Sequence, residues 1–170
     1  MANKNKFSIA IQSQKFNKIK VATFAEIWEC SETGEKFLHS CVKFMPGDTI
    51  TKFGSKANVE KPNYLTVQID DKEHILLEPE FLQYINQSCV QNVFIDTTNM
   101  VITCLKTIEV GDAMTFFYPS TEWSMAQGFD CFCGSENCLK KIQGAAHLSP
   151  AILKNYKLSK HIRKKLELSN

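Results

Sequence analysis

The sequence lacks any long apolar run. No segment approaches the roughly 20 apolar residues that a membrane-spanning helix needs, so we expect no membrane partner. The first ten residues, MANKNKFSIA, lack the apolar centre and the cleavage site of a secretory signal. We therefore expect an intracellular protein, cytoplasmic or nuclear, or an effector secreted by an intracellular organism.

The chain also lacks a strong excess of charge of one sign. Its net charge of +2 is too small to indicate direct nucleic-acid binding. Lysines do cluster in the first 20 residues and again near the C-terminus, and we interpret both clusters as solvated surfaces. There is no internal repeat and no low-complexity segment. A length of 170 residues and an apolar share of 44% fit one globular domain of ordinary composition.

The seven cysteines do not form the pattern of a disulfide framework. Their number is odd, and such frameworks belong mainly to shorter, secreted chains. Cys131, Cys133 and Cys138 are instead crowded into one short segment, which puts three thiolates within reach of one ion. Structural zinc is tetrahedral and prefers four cysteine or histidine ligands. We therefore predict a zinc site. On chemistry alone, the fourth ligand is one of Cys30, Cys41, Cys89, Cys104 and the four histidines.

The hydropathy pattern predicts a strand-rich domain. Alternation and β-branched or aromatic residues predict strands at residues 7–12, 21–30, 37–44 and 49–53, with a Pro-Gly-Asp turn before the last one. Residues 54–63 are polar and predict a loop. Two hairpins are expected, at residues 64–78 and at residues 92–108, the second with its tip at residues 97–99. Residues 78–85 predict a helical turn, and residues 114–118 a further strand. Ser149 and Pro150 predict the start of a helix that runs towards residue 166.

Three segments stand in a fixed order: INQSC at residues 85–89, GDAMTFFY at residues 111–118 and CFCGSENC at residues 131–138. This order resembles that of the SET-domain family of lysine methyltransferases. The family carries an Asn-His-Ser-Cys stretch, a Gly-Glu-Glu-Leu-Thr-Phe-Asp-Tyr-like strand and a post-SET Cys-x-Cys-x4-Cys motif. The strand, turn and strand at residues 37–53 are also similar to the opening of the SET core.

The resemblance implies a mainly β (β+α) fold, the SET fold of short strands and hairpins with a pseudo-knot, a post-SET zinc loop and a C-terminal helix. The implied segments are a basic N-terminus (residues 1–19), the SET domain (20–123), the post-SET segment (124–145) and a basic C-terminal helix (146–170). The resemblance also implies that Cys89 is the fourth zinc ligand.

The implied activity is transfer of methyl groups from S-adenosylmethionine to a lysine of a protein, possibly a histone or nucleosome. Tyr118 matches the tyrosine at the methyl-transfer point. The implied cofactor-binding residues are Asn86, Gln87, Phe132 and Leu139, and the implied channel residues are Phe116, Phe117 and Trp123. Phe129 is a further candidate for the channel or the cofactor cover. Phenylalanine at position 116, where the family has phenylalanine or tyrosine, implies room for di- or trimethylation.

Three departures from the family pattern matter, and two of them, Gln87 and the missing Gly-x-Gly, favour a second hypothesis. Gln87 replaces the family's histidine, Phe117 replaces an acidic residue or asparagine, and the N-terminal Gly-x-Gly is represented only by Gly34. The alternative is a non-catalytic, zinc-stabilised interaction module derived from the SET fold. A third alternative is methylation of a non-histone protein or a small-molecule amine. The basic C-terminal helix is predicted to be a solvated face, with an acidic or nucleosomal surface as its alternative partner.

Overall fold

A computed structural model describes residues 15–168 and shows a mainly β protein, as the sequence predicts. The predicted strand at residues 7–12 lies outside the described residues. The strands are β1 (Phe16–Ala22), β2 (Ala25–Cys30), β3 (Lys36–Ser40), β4 (Thr49–Lys52), β5 (Gly54–Val59), β6 (Thr66–Gln68), β7 (His74–Glu78), β8 (Asn86–Gln87), β9 (Val93–Asp96), β10 (Val101–Cys104), β11 (Thr115–Phe116), β12 (Phe129–Asp130) and β13 (Lys141–Ile142). The helical segments in this range are the 3-10 turns Glu80–Tyr84, Tyr118–Ser120 and Ala145–His147 and the helices α1 (Pro150–Leu153) and α2 (Lys160–Leu168).

The first sheet is antiparallel, with the strand order β1-β2-β3. A single strand was predicted at residues 21–30, but the chain turns after Ala22, which pairs with Ala25. The physical reason is Phe24, whose ring leaves the sheet and packs against Phe44 and Phe81 at centroid distances of 6.3 and 6.1 Å. Burial of this ring outweighs continuation of the strand. β1 also crosses the boundary predicted at residue 20.

The second sheet has the strand order β4-β10-β9 and confirms two predicted turns. At the tip of the β9–β10 hairpin, the Asp96 carboxylate accepts the backbone N–H groups of Thr98 and Asn99 at 3.0 and 3.1 Å. In the Pro-Gly-Asp turn, the Asp48 carboxylate accepts a backbone N–H at 2.7 Å. Gly47 has a φ of +97° there, a conformation that strongly favours glycine.

The third sheet has the strand order β5-β7-β6 and corrects one prediction. Residues 54–63 were predicted to be a loop, but residues 54–59 form β5 along β7. β5 is an edge strand whose central side chains are exposed, so little apolar burial is needed and the sequence shows no apolar alternation. The predicted hairpin between β6 and β7 is present.

A short parallel pair brings distant parts of the chain together. β8 pairs with β11 so that Asn86 lies beside Thr115, and Gln87 beside Phe116. The strand predicted at residues 114–118 is shorter than expected, because Tyr118 already begins a 3-10 turn that contains Pro119. Beneath these strands, one apolar core joins the three larger sheets; its fully buried members include Leu38, Ile75, Ile85, Ile95 and Ile102.

The C-terminal segment forms two helices where one was predicted. α1 ends at Leu153, and the chain between α1 and α2 turns inward instead of continuing as a helix. The ring of Tyr156 stacks on Phe117 at 3.7 Å, and the backbone N–H of Ser159 donates to the Ser120 carbonyl at 2.9 Å. These contacts are incompatible with one continuous helix. Along α2, Ile162 is buried, whereas Lys160, Arg163 and Lys164 are exposed.

Candidate active site and metal centre

Four cysteines converge at the end of β8 and along the loop that follows β12. The sulfur atoms of Cys89, Cys131, Cys133 and Cys138 all lie within 4.8 Å of one another. The Cys89 and Cys131 sulfurs are 4.0 Å apart. Tetrahedral zinc with Zn–S bonds of about 2.3 Å places its sulfurs about 3.8 Å apart. The donor set and its spacing therefore fit a structural zinc ion.

The predicted alternatives for the fourth ligand lie elsewhere in the fold. Cys30 ends β2, Cys104 donates to the Lys106 carbonyl at 2.8 Å, and Cys41 follows β3. Among the described residues, no histidine joins the cluster. The geometry thus brings Cys89 to the trio, as the resemblance implied.

Hydrogen bonds orient the sulfur atoms of the cluster. The backbone N–H of Leu139 and the side-chain Nε2 of Gln87 donate to Cys89 Sγ at 3.5 and 3.7 Å. Burial raises the pKa of the Cys89 and Cys131 thiols. Burial opposes ionisation of Cys133 too, but hydrogen bonds from the side chain and backbone of Ser135 prevail and lower its pKa to about 6. The thiolate is the form that binds metal.

A cavity of about 710 Å³ lies between the first sheet, β8 and the cysteine loop. Its volume is within the range of small-molecule and cofactor sites, about 300–1,000 Å³. This cavity is lined by three residues that were predicted to bind the cofactor: Asn86, Gln87 and Phe132. Phe129, a further candidate for the channel or the cofactor cover, lines it too. The side chain of Phe132 is 74% exposed at its rim.

The sequence reasoning missed the opposite wall of this cavity. Trp28 on β2 stacks on His39 of β3 with ring centroids 3.9 Å apart, and both line the cavity. His39 Nδ1 lies 2.8 Å from the Gly111 carbonyl. Burial lowers the pKa of His39, although the contact with Gly111 opposes this. The imidazole is therefore neutral at neutral pH. The signal that could have found this pair was the aromatic content of β2, which core packing explains equally well.

A second cavity of about 340 Å³ also has Tyr118 in its lining. Phe116, Leu82 and Val67 give it an apolar inner lining, and Tyr64, 82% exposed, lies at its rim. Glu122, another residue that sequence reasoning missed, lines it as well, and this carboxylate is buried. The apolar part of this cavity can accept an alkyl chain.

Tyr118 lines both cavities, as does Phe129. The Tyr118 ring lies 4.5 Å from Phe116 and 5.8 Å from Phe129, centroid to centroid. Its backbone N–H donates to Gln87 Oε1 at 2.7 Å. Burial, together with the nearby charge of Glu122, raises the pKa of Tyr118 to about 12. The phenol is consequently neutral at physiological pH and can orient a reactant by hydrogen bonding.

Three of the implied site residues lie away from the cavities that they were expected to line. Phe117 is completely buried and stacks on Tyr156, because the 3-10 turn at Tyr118 points it towards the C-terminal helices. Trp123 packs in the same cluster, with Lys165 Nζ 5.4 Å from its ring. Leu139 packs against the cysteines and uses its backbone N–H on Cys89. The structure thus places these three residues outside the two cavity linings, and their roles in the channel and the cofactor site stay predictions.

Comparison with known proteins finds a methyltransferase among the relatives of this chain. The chain is 36% identical over 126 residues to methyltransferase flvH of Aspergillus flavus, and the match covers 73% of this chain and 70% of that protein. No model of a protein family matches the chain. At this identity and coverage, the chain belongs to the methyltransferase family that includes flvH. None of the helices in residues 15–168 is long and apolar enough to cross a membrane.

Proposed function

We propose that the protein is a SET-type lysine N-methyltransferase that uses S-adenosylmethionine and contains a structural zinc ion. Membership of a methyltransferase family supports the reaction class. The three motifs at residues 85–89, 111–118 and 131–138 support the SET type. The parallel pairing of β8 with β11 is compatible with the pseudo-knot of that fold, which remains a prediction.

The observation that carries the proposal is the meeting of the two cavities at Tyr118. Methyl transfer needs the amine nitrogen, the methyl carbon and the sulfonium sulfur in one line, which a site open from two sides can provide. The larger cavity suits the cofactor, and the smaller cavity, with its apolar inner lining, suits the four-carbon stem of lysine. The neutral Tyr118 hydroxyl then orients the groups that meet at the junction.

Within the larger cavity, Asn86, Gln87 and Phe132 are the proposed cofactor-binding residues, joined by Trp28 and His39. Aromatic faces attract cations within about 6 Å of the ring centroid, which favours a sulfonium between Tyr118 and Phe129. In the smaller cavity, Phe116 brings no hydroxyl near the amine, so we expect di- or trimethyl-lysine among the products.

The proposed zinc ion has a mechanical role. Phe129 and Phe132 flank Cys131, and both line the larger cavity. An ion bound by Cys131 and Cys89 joins this segment to the end of β8. Cysteine ligation of zinc contributes directly to folding in structural sites. We infer that zinc holds one wall of the site in place.

The protein substrate is proposed to be a histone or another lysine-bearing protein. The test incubates the protein with methyl-labelled S-adenosylmethionine and, in parallel, core histones, a cell lysate, or free lysine and simple alkylamines. Label in a protein band, reported as mono-, di- or trimethyl-lysine by mass spectrometry, is the expected outcome. Label only in the free amines would favour the small-molecule alternative.

Two variants test the assigned mechanism. Tyr118→Phe removes the hydroxyl at the junction and is expected to lower the rate at least about 100-fold, a typical effect for a positioned catalytic group. Tyr84→Phe is the matched control, because Tyr84 packs against the core outside both cavity linings. Equal rates in the two variants would contradict the role of Tyr118. Absence of both transfer and cofactor binding by calorimetry would favour the non-catalytic module.

A further inference from the structure

The smaller cavity contains one buried carboxylate in a largely apolar lining. Glu122 is 7% exposed and lines the cavity together with Tyr118 and Phe116. Burying an ionised carboxylate is unfavourable unless hydrogen bonds or an opposite charge compensate it. The partners that this carboxylate has in the described structure, and the space beside it, therefore indicate what it can bind.

The Glu122 side chain is held from one side. Its Oε1 accepts the backbone N–H of Gln68 at 2.8 Å and lies 3.4 Å from the Thr121 hydroxyl. The Gln68 side chain in turn accepts the backbone N–H of Trp123 at 2.9 Å, which ties this strand to the segment that carries Glu122. The other oxygen, Oε2, lies 3.7 Å from His74 Nε2. The carboxylate is thus fixed at the cavity wall beside an imidazole.

Tyr118 is a poor proton acceptor in this position. Burial and the Glu122 charge raise its pKa to about 12, so the phenolate is rare at neutral pH. A lysine side chain enters as an ammonium ion, because its pKa is near 10.4 in water. One proton must leave before the nitrogen can attack a methyl group.

We propose that Glu122 binds the ammonium group of the substrate in the smaller cavity and accepts its proton, which then passes to His74. This inference rests on the proposed function and adds a catalytic residue to it. The ammonium gives H⁺ to the carboxylate and becomes a neutral amine. The protonated carboxyl gives H⁺ to the His74 imidazole, whose side chain is 11% exposed and releases it to water.

The amine then completes the transfer. Its lone pair forms the new N–C bond as the C–S bond of the sulfonium breaks, and the electron pair of that bond stays on sulfur. The products are a methylated ammonium ion and a neutral thioether. The ionised carboxylate is again present for the next substrate.

Among the described residues, titratable groups approach Glu122 from β7, from the turn that precedes it and from α2. His74 lies on β7, Tyr118 precedes Glu122 by one turn, and His161 lies on α2. His161 Nε2 lies 2.7 Å from the carbonyl oxygen of Thr121, and burial lowers the pKa of His161. His74 is therefore the group through which the proton is routed.

The first experiment measures binding of the charged end of the substrate without any transfer. Wild type, Glu122→Gln and Glu122→Asp are titrated by NMR with n-butylammonium and with the neutral butan-1-ol at pH 7. Glutamine keeps an oxygen acceptor for the Gln68 N–H and removes only the charge, whereas aspartate keeps the charge. Wild type and Glu122→Asp should prefer the ammonium, and Glu122→Gln should bind it about 10- to 100-fold more weakly, as expected for loss of a hydrogen bond to a charged group. The same preference in Glu122→Gln overturns the site.

The second experiment measures the rate of transfer to core histones from pH 6 to 10. The Glu122→Gln rate should fall at least about 100-fold at pH 7 and recover as pH rises, because free amine then becomes abundant. Glu109→Gln is the control, since Glu109 pairs with Lys43 on the surface. Transfer by wild type with an unchanged profile in Glu122→Gln overturns the proton role. If wild type transfers no label, the proposed function fails, and the butylammonium titration still decides the cation site.

Discussion

Gln87 joins the four-cysteine cluster to Tyr118 at the junction of the two cavities, so its substitution is expected to disturb both. Its Oε1 accepts the Tyr118 backbone N–H at 2.7 Å, and its Nε2 donates to Cys89 Sγ at 3.7 Å. Gln87→Leu keeps the approximate volume and removes both hydrogen bonds. Gln87→Glu keeps an acceptor for Tyr118 but replaces the donor near sulfur with a negative charge.

The two substitutions differ in which property they change. Gln87→Leu leaves the Tyr118 N–H without this acceptor, and an unsatisfied buried donor costs about 1–3 kcal/mol of unfolding free energy. Gln87→Glu should lose less stability through Tyr118. Its charge instead repels the thiolates, and loss of an outer hydrogen bond to a metal ligand typically lowers metal affinity about 10- to 100-fold. We therefore expect stability to fall mainly in the first variant and zinc affinity to fall most in the second.

Urea unfolding of zinc-saturated protein and zinc competition with a chromophoric chelator measure these two quantities. Gln83→Leu is the matched control, because the Gln83 amide makes a 3.4 Å contact with Glu80 on the surface. The reasoning is refuted if Gln87→Leu unfolds at the same urea concentration as wild type, or if Gln87→Glu retains wild-type zinc affinity.

Two further predictions follow from the same site. Removing zinc with a chelator should lower the melting temperature and abolish cofactor binding measured by calorimetry, because structural zinc supplies folding free energy. Adding zinc, but not magnesium, should restore both properties. Unchanged cofactor affinity after chelation would contradict the proposal that zinc holds the cavity wall at Cys131 in place. Tyr118 should make the protein less stable at alkaline pH. Its pKa is about 12 in the folded state and near 10 when unfolded, so the unfolded chain loses this proton first and folding stability falls between pH 10 and 12. The total loss of unfolding free energy, relative to Tyr118→Phe, is about 3 kcal/mol, from 1.36 kcal/mol per pKa unit. The prediction is refuted if the unfolding free energy, measured with urea, changes equally with pH in the two proteins across that range.

Features with short-range signals were predicted well from the sequence. The Pro-Gly-Asp turn and the β9–β10 hairpin have local turn chemistry, and both are present. The cysteine trio indicated a metal site by spacing alone. Cys89 required the family resemblance, because 42 residues separate it from Cys131.

Features that depend on tertiary contacts were missed or wrong. β5 shows no apolar alternation because its side chains face solvent at an edge. The break between α1 and α2 arises from Tyr156 packing on Phe117, a contact between distant residues. Nothing in the sequence indicated that Phe117, predicted to line the channel, would stack on Tyr156. Sequence reasoning did not identify Glu122 or His74 as candidate site residues, because neither residue lies in a motif.

Each cavity has an exposed aromatic residue of its own in its lining, Phe132 in the larger one and Tyr64 in the smaller one. Under the proposed function, spent cofactor can leave and fresh cofactor can enter while the lysine remains in its own cavity. The kinetics would then be sequential, through a complex that holds both reactants at once. One encounter with a substrate protein could deliver more than one methyl group, and the methylation state would depend on how long that protein stays bound.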